Sequence, residues 1–461
     1  MKRIPGAVPA TLRGILLSMM LTGSYTANGE DLWDVYQLAL ESDAIYLAAK
    51  ESYEAARLNL PLARTGFKPT VNGKGTLGKQ RSDFRGPTTT GDNNEISVNL
   101  NLPLLNRTTR IQISQAELEV QRALLQFDNA RDDLTLRVAE RYFNLLAARD
   151  AKEVARLQKI AIKRQMDLAE ERLEVGLGTR TDLFDARARF QQADADLIAS
   201  DIEISNARQA LIEIINITPR TISELSEDSP LDPPEPDDID HWVNLARTNN
   251  LQVKSEELNL LLAGHEVDRQ RARRSPTVAF EASQRWADNG SGVGGGATNS
   301  TSLGVTLNLP LYLGGSVDLR TRQAGLRQNE AEQVLEASRR SATSSTTTAF
   351  LAITNGISQV IALAEAIVAG ESALKAKEEG FSAGLTTNLD VLDAQRDLSL
   401  SRTNYLRARY NYILSLLRLE KATGDLGDED IRFINGWLSD RNTAYRDEEI
   451  LRHFPFIKPL G

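Results

Sequence analysis

The sequence predicts a mainly α-helical fold with a β-barrel part, in which long coiled-coil helices and four amphipathic strands form two tandem structural repeats. Three observations point to it. The 461-residue chain repeats most of its features at a spacing of about 207. Proline is absent between Pro103 and Pro219 and again between Pro310 and Pro455. Directly before each proline-free window, a short segment alternates apolar and polar residues with period two.

The duplication is literal. Ser97-Val98-Asn99-Leu100-Asn101-Leu102-Pro103-Leu104 returns as Gly304-Val305-Thr306-Leu307-Asn308-Leu309-Pro310-Leu311, and Lys68-Pro69-Thr70-Val71 as Ser275-Pro276-Thr277-Val278 in the same register. Val175-Gly176-Leu177 with Asp182 and Asp185 returns, after a one-residue slip, as Ala383-Gly384-Leu385 with Asp390 and Asp393. One unit used twice makes shape the carrier of function.

Residues 1–27 read as a secretory signal. Lys2, Arg3 and Arg13 precede a short apolar core, Ile15 to Leu21, and small residues follow. The run is too short to span a bilayer as a helix. No other apolar run approaches 20 residues, so a membrane crossing would be made by strands.

The first repeat is assigned to 28–217. A helix over about Asp31 to Thr65 leads to a strand pair over 68–104, closed by the polar link Asp83 to Asn94. A long helix over 106–174 follows, with Leu134, Val138, Tyr142, Leu145 and Leu146 at helical spacing among good helix formers. Some 70 residues at 1.5 Å each reach about 105 Å, which no globular domain needs. Gly176 supplies a left-handed stop. A return helix over 181–216 begins with Thr181 and Asp182 as its cap. After a Pro/Asp-rich equatorial linker, 218–239, the second repeat (240–422) takes the same course. It has a helix over about Asp240 to Arg274, a strand pair over 276–311 and a long helix over 316–382. The Gly384 stop follows, then a return helix over 388–421 capped by Asn388. Two half-length helices end to end match one long helix, so the set packs lengthwise as coiled coils. The linker and the tail 423–461 form a belt around the middle.

The strands carry the strongest inference. Ile96, Val98, Leu100 and Leu102 alternate with Glu95, Ser97, Asn99 and Asn101, and Leu303 to Leu311 repeats the pattern. This is the pattern of a transmembrane strand, one face to lipid and one to water. Four strands are too few to close a barrel, and open edges are not tolerated in lipid. Several chains must therefore each contribute a piece, and three would give twelve strands.

Composition excludes several classes. There is no cysteine, hence no disulfide, thiolate nucleophile or Cys-ligated zinc. A net charge of −9 argues against a nucleic-acid partner. No His/Asp/Glu spacing suggests a metal, and neither Ser302 nor Ser316 has a plausible triad. Gly292 with Gly294 to Gly296 lacks the Lys-Ser/Thr of a nucleotide loop and reads as a loop tip. The expectation is a protein without cofactor or metal, and not an enzyme.

The twofold repeat, the Asn-Leu-Pro-Leu strand ends, Val175-Gly176-Leu177-Gly178-Thr179-Arg180-Thr181-Asp182-Leu183, the Ala383 to Ala394 segment and Leu32-Trp33-Asp34-Val35-Tyr36-Gln37-Leu38-Ala39 together resemble the TolC family from about residue 30 to 425. The resemblance implies a homotrimer in the outer membrane of a Gram-negative bacterium. A 12-stranded barrel in outer-membrane lipid would sit on a long α-helical tunnel reaching across the periplasm. It also implies a duct for type I secretion or multidrug efflux. Its partners would be a periplasmic adaptor (a membrane fusion protein) and an inner-membrane ABC or proton-driven transporter.

Three sets of site residues follow. Asp390 and Asp393, three apart on one helix face, match the family's constriction aspartates, and Asp182 and Asp185 repeat them. Like charges about 4 Å apart repel by roughly 1 kcal/mol in water and about 4 at an effective dielectric of 20, so an acidic gate with raised pKa values is expected. In isolation the same carboxylates would simply complement a helix dipole. The resemblance assigns Thr181 and Asp182 to a tether that closes the tip. Phe381 stands where the family has tyrosine and Thr386 where it has arginine, leaving Arg180 as a substitute. The turns Val175-Gly176-Leu177 and Ala383-Gly384-Leu385 match the surfaces that meet the adaptor. The competing reading is a soluble helical scaffold that binds partners through coiled-coil faces.

Overall fold

The computed structural model describes residues 30–82, 89–219, 221–226, 229–288 and 296–439. The signal assigned to 1–27, the tip of each hairpin link, including Gly292, Gly294 and Gly295, and the tail beyond 439 lie outside them. Two helices dominate: α4 (Arg107–Glu174) and α8 (Ser316–Ser382), of 68 and 67 residues, each about 100 Å long. Beside them lie the returning α5 (Arg180–Ile215) and α9 (Asn388–Thr423), 36 residues each.

The helices expected over 31–65 and 240–274 are broken, at equivalent places. In the first repeat α1 (Leu32–Ser42) gives way to α2 (Ala44–Arg57) and α3 (Asn59–Arg64); in the second α6 (Ile239–Asn249) gives way to α7 (Leu251–Ala272). The joints are Asp43 and Asn250, both with extended ψ. Each side chain caps the helix that follows: Asp43 accepts from Tyr46 N–H, and Asn250 from Gln252 and Val253 N–H. Each is also anchored elsewhere. Arg137 holds Asp43 at 3.0 Å, and Asn250 donates to the Ala422 carbonyl at 2.9 Å. Neither joint carries a Gly or Pro, so composition alone did not mark it.

The four long strands form one antiparallel sheet in the order β1 (Thr70–Ser82), β2 (Thr89–Leu105), β4 (Thr277–Asp288), β5 (Ala297–Asn308). They reach into the stretches read as links, β2 taking in 89–94 and β5 starting at Ala297, while β5 ends at Asn308, three residues short of the expected 311. The central β2–β4 pairing joins the two repeats. Its register aligns Val71, Leu100, Ala282 and Leu303 in one row and Asn72, Asn99, Ser283 and Ser302 in the next. Neighbouring rows point to opposite faces, so one face is apolar and the other polar. The polar face carries an Arg285–Glu95 ion pair at 2.9 Å. Among the described residues, the outer edges of β1 and β5 have no strand partner.

The principal core sits at mid-height. There Val138, Tyr142, Phe143 and Leu146 of α4 meet Leu32 and Tyr36 of α1, Leu211 and Ile215 of α5, Ile353 of α8 and Ile413 and Leu417 of α9. A belt encloses this level. β3 (Glu224–Leu225) pairs with β6 (Leu438–Ser439), and α10 (Asp428–Asn435) packs on α1. Asn435 ties the belt down, donating to Asp31 and accepting from Trp33 N–H. The buried Tyr142 hydroxyl donates to the Ser223 carbonyl. One expectation needs correcting: α8 does contain a stretch long and apolar enough, by length and composition, to cross a membrane. It belongs to a 67-residue helix packed along α7 and α9, and contributes Phe350 and Ile353 to the equatorial core.

Candidate functional site

The end of the molecule opposite the sheet is built from two similar turns. At the end of α4, Gly176 takes φ +79°; its N–H donates to Leu173 and that of Leu177 to Arg172. At the end of α8, Gly384 takes φ +75°, with the matching bonds to Phe381 and Gly380. Both are Schellman stops, in which a left-handed glycine lets the last carbonyls find donors. Val175, Leu177 and Leu385 project 70–83% exposed, and Ala383 is exposed beside them. Four apolar side chains at a helical tip are left for something else to cover.

The helix caps lie one to three residues before the positions expected. Thr179 caps α5 and Thr387 caps α9, each in a reciprocal capping box with the aspartate three residues on. Asp182 accepts from the Thr179 N–H and hydroxyl at 3.2 and 2.6 Å; Asp390 accepts from those of Thr387 at 2.9 and 2.6 Å. Thr181 and Asp182 are therefore not the cap, and Asn388 is the first residue inside its helix. These bonds from the Thr387 side chain and backbone hold the Asp390 carboxyl below the usual carboxylate range, opposite to the raised value expected of a crowded acidic ring. Asp393 is half-buried and paired across the repeats with Arg189 at 2.9 Å. Asp185 is half-buried one helical turn beyond Asp182.

Side-chain bonds do join the two repeats at this end, and of the residues expected there they use Asp182, through its carbonyl, and Phe381. Asn388 is fully buried. Its amide donates to the Asp182 carbonyl at 3.2 Å, and its oxygen accepts from Gln165 Nε2 at 2.5 Å, so one side chain joins α4, α5 and α9. Arg172 reaches from α4 to the carbonyl of Phe381 at 3.1 Å, and its guanidinium lies 4.6 Å from the centre of the Phe381 ring. A cation over an aromatic face needs no phenol, which accounts for phenylalanine serving here. The expected substitutes do not take part: Arg180 and Thr181 are exposed and make no bond to the second repeat among the described residues, and Thr386 donates to the Lys377 carbonyl within its own hairpin. Gln165, Arg172 and Arg189 were missed because only tertiary contact distinguishes them from other polar residues on long helices. The one local hint in the sequence is Phe381, which departs from the family's pattern. Beneath these bonds a small apolar cluster of Ile162, Met166, Ala169, Ala186, Ala193 and Leu392 packs the two hairpins together.

Comparison with known proteins places this arrangement. The chain matches the outer membrane efflux protein family over residues 35–216 and 242–425, one match per repeat. It is 30% identical over 413 residues to outer membrane protein TolC of Vibrio cholerae serotype O1, covering 89% of this chain and 94% of that one. It is 28% identical to the alkaline protease secretion protein AprF of Pseudomonas aeruginosa, covering 87% and 86%. Among solved structures, the outer membrane protein VceC from Vibrio cholerae superposes with a TM-score of 0.73 at 18% identity, over 85% of this chain and 96% of that one.

Proposed function

The chain belongs to the outer membrane efflux protein family, and from that premise we propose that three copies assemble into a single export duct gated at the acidic tip. It is an outer-membrane channel of the helical-tunnel and barrel kind, not an enzyme; the soluble-scaffold reading falls with the family assignment. The observation that carries the assembly is the sheet. Among the described residues, four strands end in two bare edges at one end of helices about 100 Å long. Lipid does not tolerate those edges, and β5 of one chain against β1 of the next would remove all of them at once. Twelve strands then enclose a pore whose wall is polar inside and apolar outside.

The tip turns favour docking of a periplasmic adaptor, because Val175, Leu177 and Leu385 offer apolar knobs at the end reached from the inner membrane. An ABC or proton-driven transporter would stand behind the adaptor. The secretion name of AprF and the family's efflux name support protein secretion and small-molecule efflux as the two cargo classes. With tips gathered around an axis, Asp182, Asp185, Asp390 and Asp393 make a ring that favours cations and resists anions. Planar-bilayer recording of purified protein tests this reading. The wild type is expected to open cation-selective conductance, and Asp390→Ala with Asp393→Ala to lose the selectivity. Unchanged ion preference in the double variant would reject the gate.

A further inference from the structure

We propose that Arg189 is a specificity-determining residue of the duct, a counter-cation that cancels the Asp393 ring and sets how strongly the tip prefers cations. The inference rests on the reading of the tip as a ring around the pore axis.

The two repeats differ here in one telling respect. Counting charged residues, 180–189 holds three arginines and two aspartates, while 388–397 holds three aspartates and one arginine. The copies have thus become charge-complementary, leaving a net of about −1 per chain over both segments. With the one-residue slip, the counterpart of Arg189 is Asp397 and that of Asp393 is Asp185. An acid followed four residues later by a base in one copy is an acid followed by an acid in the other.

Geometry then selects the partner. Arg189 Nη2 lies 2.9 Å from Asp393 Oδ1, across the α5–α9 seam. Arg396, the other cation near this carboxylate, sits 3.9 Å away and gives its short bonds, 3.0 and 3.2 Å, to Asp397. Among the described residues Asp393 therefore has one close counter-ion, delivered by the first repeat. Both side chains remain about one-third exposed, so the pair contributes little to stability. Its consequence is the charge it removes from the ring. Without the arginine, the net charge of these segments doubles to about −2 per chain, and each copy leaves Asp393 with only Arg396, 3.9 Å away and bonded to Asp397.

Reversal potentials in a salt gradient across a planar bilayer test the proposal, using detergent-purified protein whose heat-modifiable migration confirms assembly. R189Q is expected to raise the cation-to-anion permeability ratio at least about twofold over wild type. R189K, which keeps the charge, is expected to match wild type, and R189Q/D393N to return toward it. An R189Q ratio equal to wild type overturns the proposal, as does a raised ratio that persists in R189Q/D393N. The Asp390→Ala/Asp393→Ala variant separates the two levels: if it shifts selectivity while R189Q does not, the acidic ring stands and the role of Arg189 falls. If neither shifts it, both fall.

Discussion

Asn388 is one buried amide that ties the ends of the two repeats together. It joins three helices through Gln165 and the Asp182 carbonyl, and removing one partner of a buried bond leaves the others unsatisfied, at about 1–3 kcal/mol. Asn388→Ala is therefore expected to loosen the hairpins, seen as larger single-channel conductance in an assembled protein; wild-type conductance would place the lock elsewhere. Arg172→Ala is expected to act in the same direction. A second residue-scale prediction concerns Asp132, almost fully buried in α4 at the equator. Burial pushes its carboxyl up to about 7, against the pull of Arg131 and Lys421 and with the push of Asp128 and Asp133. The folded chain holds this proton more tightly than the unfolded chain. The stability contributed by this group is thus full below about pH 4 and declines as pH rises toward 7. Urea midpoints measured from about pH 5 to 7.5 are expected to fall, and Asp132→Asn to flatten the slope. The shift corresponds to on the order of 2–4 kcal/mol. Glu420, also raised to about 7 by burial and by Asp430 and Asp425, leans the same way and leaves a residual slope.

At the scale of elements, length and stops were legible and joints were not. Proline-free windows and apolar spacing forecast α4 and α8, because a long helix needs only the absence of breakers and a continuous stripe to bury. Gly176 and Gly384 were readable because a left-handed stop has nearly one residue type. The joints at Asp43 and Asn250 were hidden: their cause is an anchor, Arg137 or the Ala422 carbonyl, more than 90 residues away in sequence. The caps were misplaced for a different reason. Thr179, Thr181 and Asp182 are all good caps, and only the observed capping box decides among them. Valine at both Gly176 and Gly384 would cost about 1–2 kcal/mol at each left-handed position. The expected result is lost export with an intact oligomer, checked by cargo secretion beside heat-modifiable migration. Phe143→Ala, at the centre of the equatorial core, is expected to cost about 3–5 kcal/mol, read as a lower denaturation midpoint.

For the whole molecule, the duplication was the most legible feature and the sheet its best-founded consequence. Alternation gave the strands their two faces, whereas the β2–β4 seam between repeats is non-local and emerged only from the register. The tip's acids were found by their repetition, but their counter-ions were not, since pairing across the seam leaves no spacing to read. The absence of cysteine makes a clean test of assembly possible. Lys74→Cys on β1, combined in turn with cysteine at Ser300, Ser302 or Thr306 on β5, is expected to give chains linked into threes under mild oxidation for at least one combination. Monomers throughout would refute the closing of one sheet by the next.

The two bare edges of β1 and β5 also bear on how such channels come into being. A lone chain cannot enter the bilayer first and look for companions afterwards, because its unsatisfied backbone would meet hydrocarbon. Insertion and association must be a single collective event. The appearance of finished channels should then climb more steeply than in proportion to the supply of new chains, so that a cell making half as much protein ends with far fewer than half the exits.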